Sequence, residues 1–171
     1  LQAFRMNFLF IHQNFPGQFK HLSRALAAQK HRVVALTPRV KERAEWGGVT
    51  ILPYKIEAST GKDTHRWLTD LDTKMKRADY CWRAARKLKE AGYMPDVIIA
   101  HPGWGESLFL KDVWPDAKLG LYCELYHHAD YPHLGFDPEF PIKDPEADVL
   151  RIRLKNQNML MHLPICDAAI S

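Results

Sequence analysis

Along this chain, short unbroken runs of apolar residues alternate with longer stretches whose apolar positions step by three and four. Such runs suit strands buried on both faces of a parallel sheet, and the three-and-four step is that of an amphipathic helix. Residues 7–12 form the first run, and a Pro-Gly pair separates them from 18–28, where Phe19, Leu22, Ala25 and Leu26 share one helical face. Residues 32–37 are a second strand stopped by Pro38, and 49–53 a short third one, opened by Gly47-Gly48 and closed by Pro53. The longest periodic stretch carries Trp67, Leu71, Met75, Ala78, Trp82, Ala85 and Leu88. It predicts a helix over about 64–91, with Asp63 or Thr64 as N-cap and Gly92 as stop. Residues 96–100 are a fourth strand, 106–113 a short helix ended by Trp114-Pro115, and 117–123 a fifth strand. Residues 124–147 show no period, and a loop of that length itself points to function. Val149, Ile152, Met159, Leu160 and Leu163 mark one more helix, and 167–170 read as the start of a buried strand. Strands alternating with helices in this order predict an α/β fold, a doubly wound parallel sheet with helices on both faces, whose ligands sit at the carboxyl ends of the strands.

Composition leaves that picture intact. The 171 residues, 46% hydrophobic and 26% charged, fit one globular domain that needs no disulfide or metal staple. The longest apolar runs are four residues, against roughly 20 for a membrane span, and none is long enough for the core of a secretory signal. Cys81, Cys123 and Cys166 are odd in number and far apart, which favours a reducing, cytoplasmic compartment. Residues 1–5 precede the strand pattern that Met6 opens and are read as a remnant or upstream segment. Because 167–170 begin a strand with no onward connection, the natural protein is expected to continue. Charge is uneven: residues 130–148 carry a net −5, from Asp130, Asp137, Glu139, Asp144, Glu146 and Asp148 against Lys143, so the remainder carries +9. A basic body suits a phosphate-bearing ligand or the anionic inner face of a membrane, and is equally compatible with an ordinary solvated surface.

The strand ends are where candidate chemistry falls. His12-Gln13-Asn14-Phe15-Pro16-Gly17-Gln18 leads from the first strand into a helix, where a glycine lets a ligand approach the backbone and the helix start favours an anion. Gly17 stands alone, so the G-x-G-x-x-G fingerprint is absent, and no Gly-Lys-Ser/Thr exists; dinucleotide oxidoreductases and P-loop enzymes are unsupported. After the fourth strand come His101-Pro102-Gly103-Trp104-Gly105-Glu106, a histidine placed to bond a ligand hydroxyl or phosphate. Glu106 either accepts from a sugar hydroxyl or supplies favourable first-turn charge. After the fifth come Glu124, Leu125, Tyr126, His127, His128, Ala129, Asp130, Tyr131, Pro132 and His133, whose aromatic faces and acceptors suit sugar rings.

Other patterns are weaker. His127, His128, Asp130 and His133 lack the spacing or thiolates of a metal site, so no metal is expected. Asp70-Leu71-Asp72 resembles a metal-binding Asp-x-Asp, but Leu71 sits on the core stripe of the long helix and the acids flank it. Lys74, Arg77, Arg83, Arg86, Lys87 and Lys89 read as a solvated basic face, with membrane lipid or nucleic acid as the functional alternative. Ser23, Ser59, Ser107 and Ser171 lie in no Gly-x-Ser-x-Gly elbow.

The stretch Met6-Asn-Phe-Leu-Phe-Ile-His-Gln-Asn-Phe-Pro-Gly-Gln-Phe, then Val33-Val-Ala-Leu-Thr-Pro, then Pro95-Asp-Val-Ile-Ile-Ala-His-Pro-Gly-Trp-Gly-Glu, resembles the amino-terminal domain of family 4 glycosyltransferases. The resemblance runs from Met6 to Ser171. It implies a Rossmann-like half of a two-domain GT-B enzyme. There the amino-terminal half binds the acceptor, the other half grips the nucleotide sugar, and transfer retains anomeric configuration without a metal or further cofactor. Gly17 matches the first-loop glycine that approaches donor phosphates and acceptor, and His101 the histidine that reaches the transferred sugar. The family's Glu-x7-Glu motif belongs to the other half, and no two glutamates here have that spacing. This chain is therefore expected to be half an active site, weak in binding and without turnover alone. His101 is the expected catalytic residue. Asn14, Pro16, Gly17, Gln18, Gly103, Trp104, Glu106, Glu124, Tyr126 and His127 are the expected substrate contacts. Expected partners are a nucleotide sugar, a glycan, lipid-linked or small-molecule acceptor, a carboxyl-terminal donor-binding domain and a membrane surface, with no nucleic acid. The competing reading is a stand-alone nucleotide- or glycan-binding module without chemistry.

Overall fold

The computed structural model describes residues 4–57, 61, 63–128, 139 and 144–171. Seven strands, β1 (Asn7–Ile11), β2 (Arg32–Thr37), β3 (Ala44–Trp46), β4 (Val49–Pro53), β5 (Val97–Ala100), β6 (Lys118–Tyr122) and β7 (Ala168–Ile170), form one sheet in the order β3-β4-β2-β1-β5-β6-β7. Every pairing is parallel except β3 with β4. Apart from β3, the strands follow the order 3-2-1-4-5-6 of a Rossmann-like doubly wound sheet, whose direction of winding reverses between β1 and β5.

Successive strand side chains alternate between two cores. On one face Leu9, Ile11, Val34, Leu36, Ile98 and Leu119 pack with Cys81 and Ala85 of α2 (Thr69–Glu90) and with Leu110 and Val113 of α3 (Leu110–Val113). On the other Phe8, Phe10, Val33, Ala35 and Ile51 pack with Phe15 and Phe19, and with Leu26 and Ala27 of α1 (Lys20–Ala28). Both faces of β1 and β2 are thus dry, which is why their sequences run apolar without alternation.

The structure corrects several expected boundaries. β3 was not expected; Gly47 and Gly48, with φ of 57° and 82°, form a two-residue hairpin turn that pairs Trp46 with Val49. α2 begins at Thr69, with residues 66–68 in a turn, so neither Asp63 nor Thr64 caps it. Its buried residues are Lys74, Ala78, Cys81 and Ala85, a face rotated from the expected stripe, while Gly92 (φ 84°) does end it. Only Leu110–Val113 of the expected 106–113 helix is helical. The helix expected around Val149 to Leu163 is two, α4 (Pro145–Lys155) and α5 (Gln157–His162), and α4 starts inside the expected loop, with Asp144 Oδ1 accepting from Ala147 N–H. β7 is exposed at the sheet edge, not the buried strand expected. No helix among the described residues is long and apolar enough to cross a membrane.

Candidate functional site

β1 and β5 are neighbours in register, Ile11 opposite Ala100, so the next residues, His12 and His101, emerge side by side where the winding reverses. The chain makes the same local turn twice. His12 Nδ1 accepts from Asn14 N–H at 2.9 Å, and His101 Nδ1 accepts from Gly103 N–H at 3.2 Å. A neutral ring whose Nδ1 accepts carries its proton on Nε2, so both histidines are set as Nε2 donors. Their centroids lie 5.5 Å apart with the planes at 68°. Each ring backs onto a glycine. A Cβ on Gly17 would stand 2.5 Å from His12 Cε1, and one on Gly103 2.5 Å from His101 Cε1. Gly17 also has φ of 47°, so side chains are excluded there twice over.

His101 Nε2 stands 3.0 Å from Glu124 Oε2, and the other oxygen of Glu124 accepts from Gln18 Nε2. Gln18, Glu124 and His101 thereby tie together the loops after β1, β6 and β5. Burial, then the neighbouring His101, lowers the pKa of His12 and keeps it neutral at pH 7. Partial burial works against the charged form of Glu124, but His101, Gln18 and His12 outweigh it and hold the carboxyl below its ordinary value. The result is two imidazole rings beside one carboxylate, an arrangement suited to donating to and accepting from the hydroxyls of a polar ligand.

Beneath this layer the loop after β5 is anchored. Gly105, at φ of 91°, presses against the Lys74 carbonyl of α2, where an added Cβ would lie 2.5 Å from the oxygen. Glu106, only 1% exposed, accepts from Tyr54 O–H at 3.3 Å and Arg77 Nη1 at 3.4 Å, and burial raises its pKa. Its carboxylate therefore faces inward and holds Arg77, whose Nη1 also donates to Gln13 Oε1 and whose guanidinium lies over the Trp104 ring, 5.6 Å from its centroid. From α5, Asn158 Nδ2 donates to the Pro102 carbonyl, and His162 Nε2 lies 2.8 Å from Ser107 Oγ. Asn156, between α4 and α5, bonds both the N–H and the C=O of His127.

Of the residues expected from sequence, Gly17, Gln18, His101, Gly103 and Glu124 come together around the two histidines. Asn14 is exposed in the first loop, Pro16 follows a cis peptide there, and the Trp104 ring is half-exposed above Arg77. Tyr126 is exposed beside His128 and lines a separate cleft of about 350 Å³ with Met159 and Leu163. Asp130, Tyr131, Pro132, His133, Asp137 and Lys143 lie outside the described residues, as does Ser59. Lys74 and Arg77 depart from the solvated face expected for them. Lys74 is buried, its Nζ 2.8 Å from Asp70, and Arg77 is turned into the site. The sequence reading passed over the roles of His12, Gln13, Tyr54 and Arg77. His12 carries the same strand-end signal as His101; the other three are identified only by the packing of α2 against the β5 loop.

Residues 29–171 match a family model described as "Glycosyl transferase family 4 group". No curated protein matches the chain. Among solved structures, the chain is similar to the catalytic domain of starch synthase IV from Arabidopsis thaliana bound to ADP and acarbose, with 12% identity and a TM-score of 0.49. That similarity covers 74% of this chain and 34% of the other, so this chain spans about a third of its length. With the family model matched over most of its residues, on a Rossmann-like sheet, the chain belongs to the glycosyl transferase family 4 group.

Proposed function

We propose that this chain is the acceptor-side half of a retaining, metal-independent glycosyltransferase of the hexosyltransferase type, which moves a sugar from a nucleotide diphosphate donor to an acceptor hydroxyl at the cytoplasmic face of a membrane or in the cytoplasm. The observation that carries the reading is the pair of glycine-backed histidines where the sheet winding reverses. In this reading the bare backbone at Gly17 admits the donor phosphates, whose charge suits the N–H groups opening the helical turns that follow. His101 turns its Nε2–H from Glu124 to a hydroxyl of the transferred sugar, and Glu124, held by Gln18, is free to accept from a second ligand hydroxyl. The half-exposed Trp104 offers an aromatic face to a sugar ring. A second, donor-binding half completes the cleft, so the domain alone binds weakly and does not turn over.

The test is sugar transfer by the enzyme that carries this domain, with and without His101→Ala. The expected outcome is a fall of about a hundredfold or more, since a fixed donor aimed at the reacting sugar is lost, while the circular dichroism and unfolding temperature of the chain are kept. Unchanged transfer removes His101 from the site.

A further inference from the structure

Beside the paired histidines, at the carboxyl ends of β1, β2 and β4, lies a cleft of about 810 Å³ that shares with their site the β1 loop and the underlying Tyr54 and Arg77. Arg39, Lys41, Lys55 and Arg77 line it, against Glu57 as the one carboxylate of its described lining. Glu106 offsets the charge of Arg77 from below, whereas Arg39, Lys41 and Lys55 have no carboxylate within ion-pair distance among the described residues. Three unmatched cations around one concavity focus a positive potential there, and the planar fork of an arginine matches phosphate oxygens in pairs. The lining includes Gln13 and Asn14, from the same loop that carries Gly17 and Gln18.

A second cleft of about 650 Å³ adjoins the first and shares Lys41, Pro53, Tyr54, Lys55 and Glu57 with it. It runs over an apolar floor of Leu36, Leu52 and Leu88 and is edged by Arg83 and Lys87. A neutral sugar acceptor has no use for this charge, and the donor phosphates are assigned to the Gly17 loop. We infer that the acceptor carries a phosphate group, bound by Arg39, Lys41 and Lys55, so that its hydroxyl is presented toward His101. This rests on the acceptor-side reading above. The phosphate belongs either to a soluble sugar phosphate or to a lipid headgroup whose apolar part follows the second cleft.

The experiment follows the amide resonances of the chain on addition of inorganic phosphate, glucose 6-phosphate or UDP-glucose. Vesicles of phosphatidylcholine with and without phosphatidylglycerol are tested in parallel by co-sedimentation. The comparison protein is the double variant Arg39→Gln and Lys55→Gln, both exposed positions, with its unfolding temperature checked against the parent. The expected result is that inorganic phosphate and glucose 6-phosphate shift residues 38–41 and 53–57, with affinity about tenfold weaker in the variant. Binding restricted to phosphatidylglycerol vesicles and lost in the variant supports the same site with a lipid source. The inference is overturned if neither the soluble phosphates nor the phosphatidylglycerol vesicles bind, if the folded variant binds as the parent does, or if UDP-glucose displaces phosphate from the cleft. A response to UDP-glucose at 12–18 and 101–105 with none to phosphate overturns the inference and leaves the transferase reading in place. The reverse pattern supports the inference, and the transferase reading is then decided by the transfer assay with His101→Ala.

Discussion

Two glycines decide where the histidine rings can stand, and they do so in different ways. Gly17 combines a left-handed backbone with a clash against His12, so a substitution there disturbs both loop and ring. Gly103 has no such backbone demand; its only conflict is the 2.5 Å approach of an added Cβ to His101 Cε1. Gly103→Ala therefore separates ring position from folding. Its expected effect is loss of most nucleotide-sugar binding, read by calorimetry, with an unfolding temperature close to the parent's. Retained binding would show that the His101 ring position is immaterial. Reading the ends of the strands singled out His101, Gly17 and Glu124, which the fold brings together, because consecutive apolar residues show where a buried strand stops. Arg77 and Tyr54 were not legible in the same way. Arg77 sits in a basic run that reads as solvent-facing, and only the rotation of α2 by its buried Lys74, Ala78, Cys81 and Ala85 turns it inward. Glu106 was legible as a polar group after β5, but its burial under Tyr54 and Arg77 depends on the same helix.

Among the elements, β2 and β4 match their expected residues and β1 ends one residue early, since runs such as Val33 to Leu36 have no competing helical period. β3 escaped because three residues centred on Glu45 carry no pattern; its pairing is imposed by the Gly47-Gly48 turn. The helix marked by Val149 to Leu163 reads as continuous because its apolar spacing carries through Asn156, where the chain nevertheless breaks so that α5 can bond the β5 loop. That tether carries a pH dependence. Burial lowers the pKa of His162 from its ordinary 6.5, and Nδ1 lies 2.7 Å from the Asn158 carbonyl, leaving Nε2 to accept from Ser107. The folded state thus prefers the neutral ring and the unfolded state takes up a proton first. The contribution is complete above pH 6.5 and is lost as the pH falls below it. The unfolding temperature should drop between pH 7 and pH 5, with His12 adding to the slope in the same sense. His162→Asn should be less stable at pH 7 by about 1–3 kcal/mol, because Ser107 loses a buried partner, yet show a flatter pH profile. A slope identical to the parent's would mean that His162 is not a source of it.

For the whole molecule, the strand order gathers every loop of interest at one edge of the sheet. The loops after β1, β5 and β6 meet around the two histidines, and those after β1, β2 and β4 surround the basic cleft. The alternation of strands and helices made this architecture legible, since parallel strands need crossovers that cover both faces. Which loops touch was not legible, because it depends on register across β1 and β5, whose paired residues, such as Ile11 and Ala100, are far apart in the chain. If ligand chemistry lies where the sheet winding reverses, titrating the isotope-labelled chain with UDP-, GDP- and ADP-sugars gives weak, saturable amide shifts from at least one donor at residues 12–18, 101–105 and 124, abolished by His101→Ala. Shifts confined to the outer face of α2, or saturable binding that His101→Ala leaves intact, would contradict it.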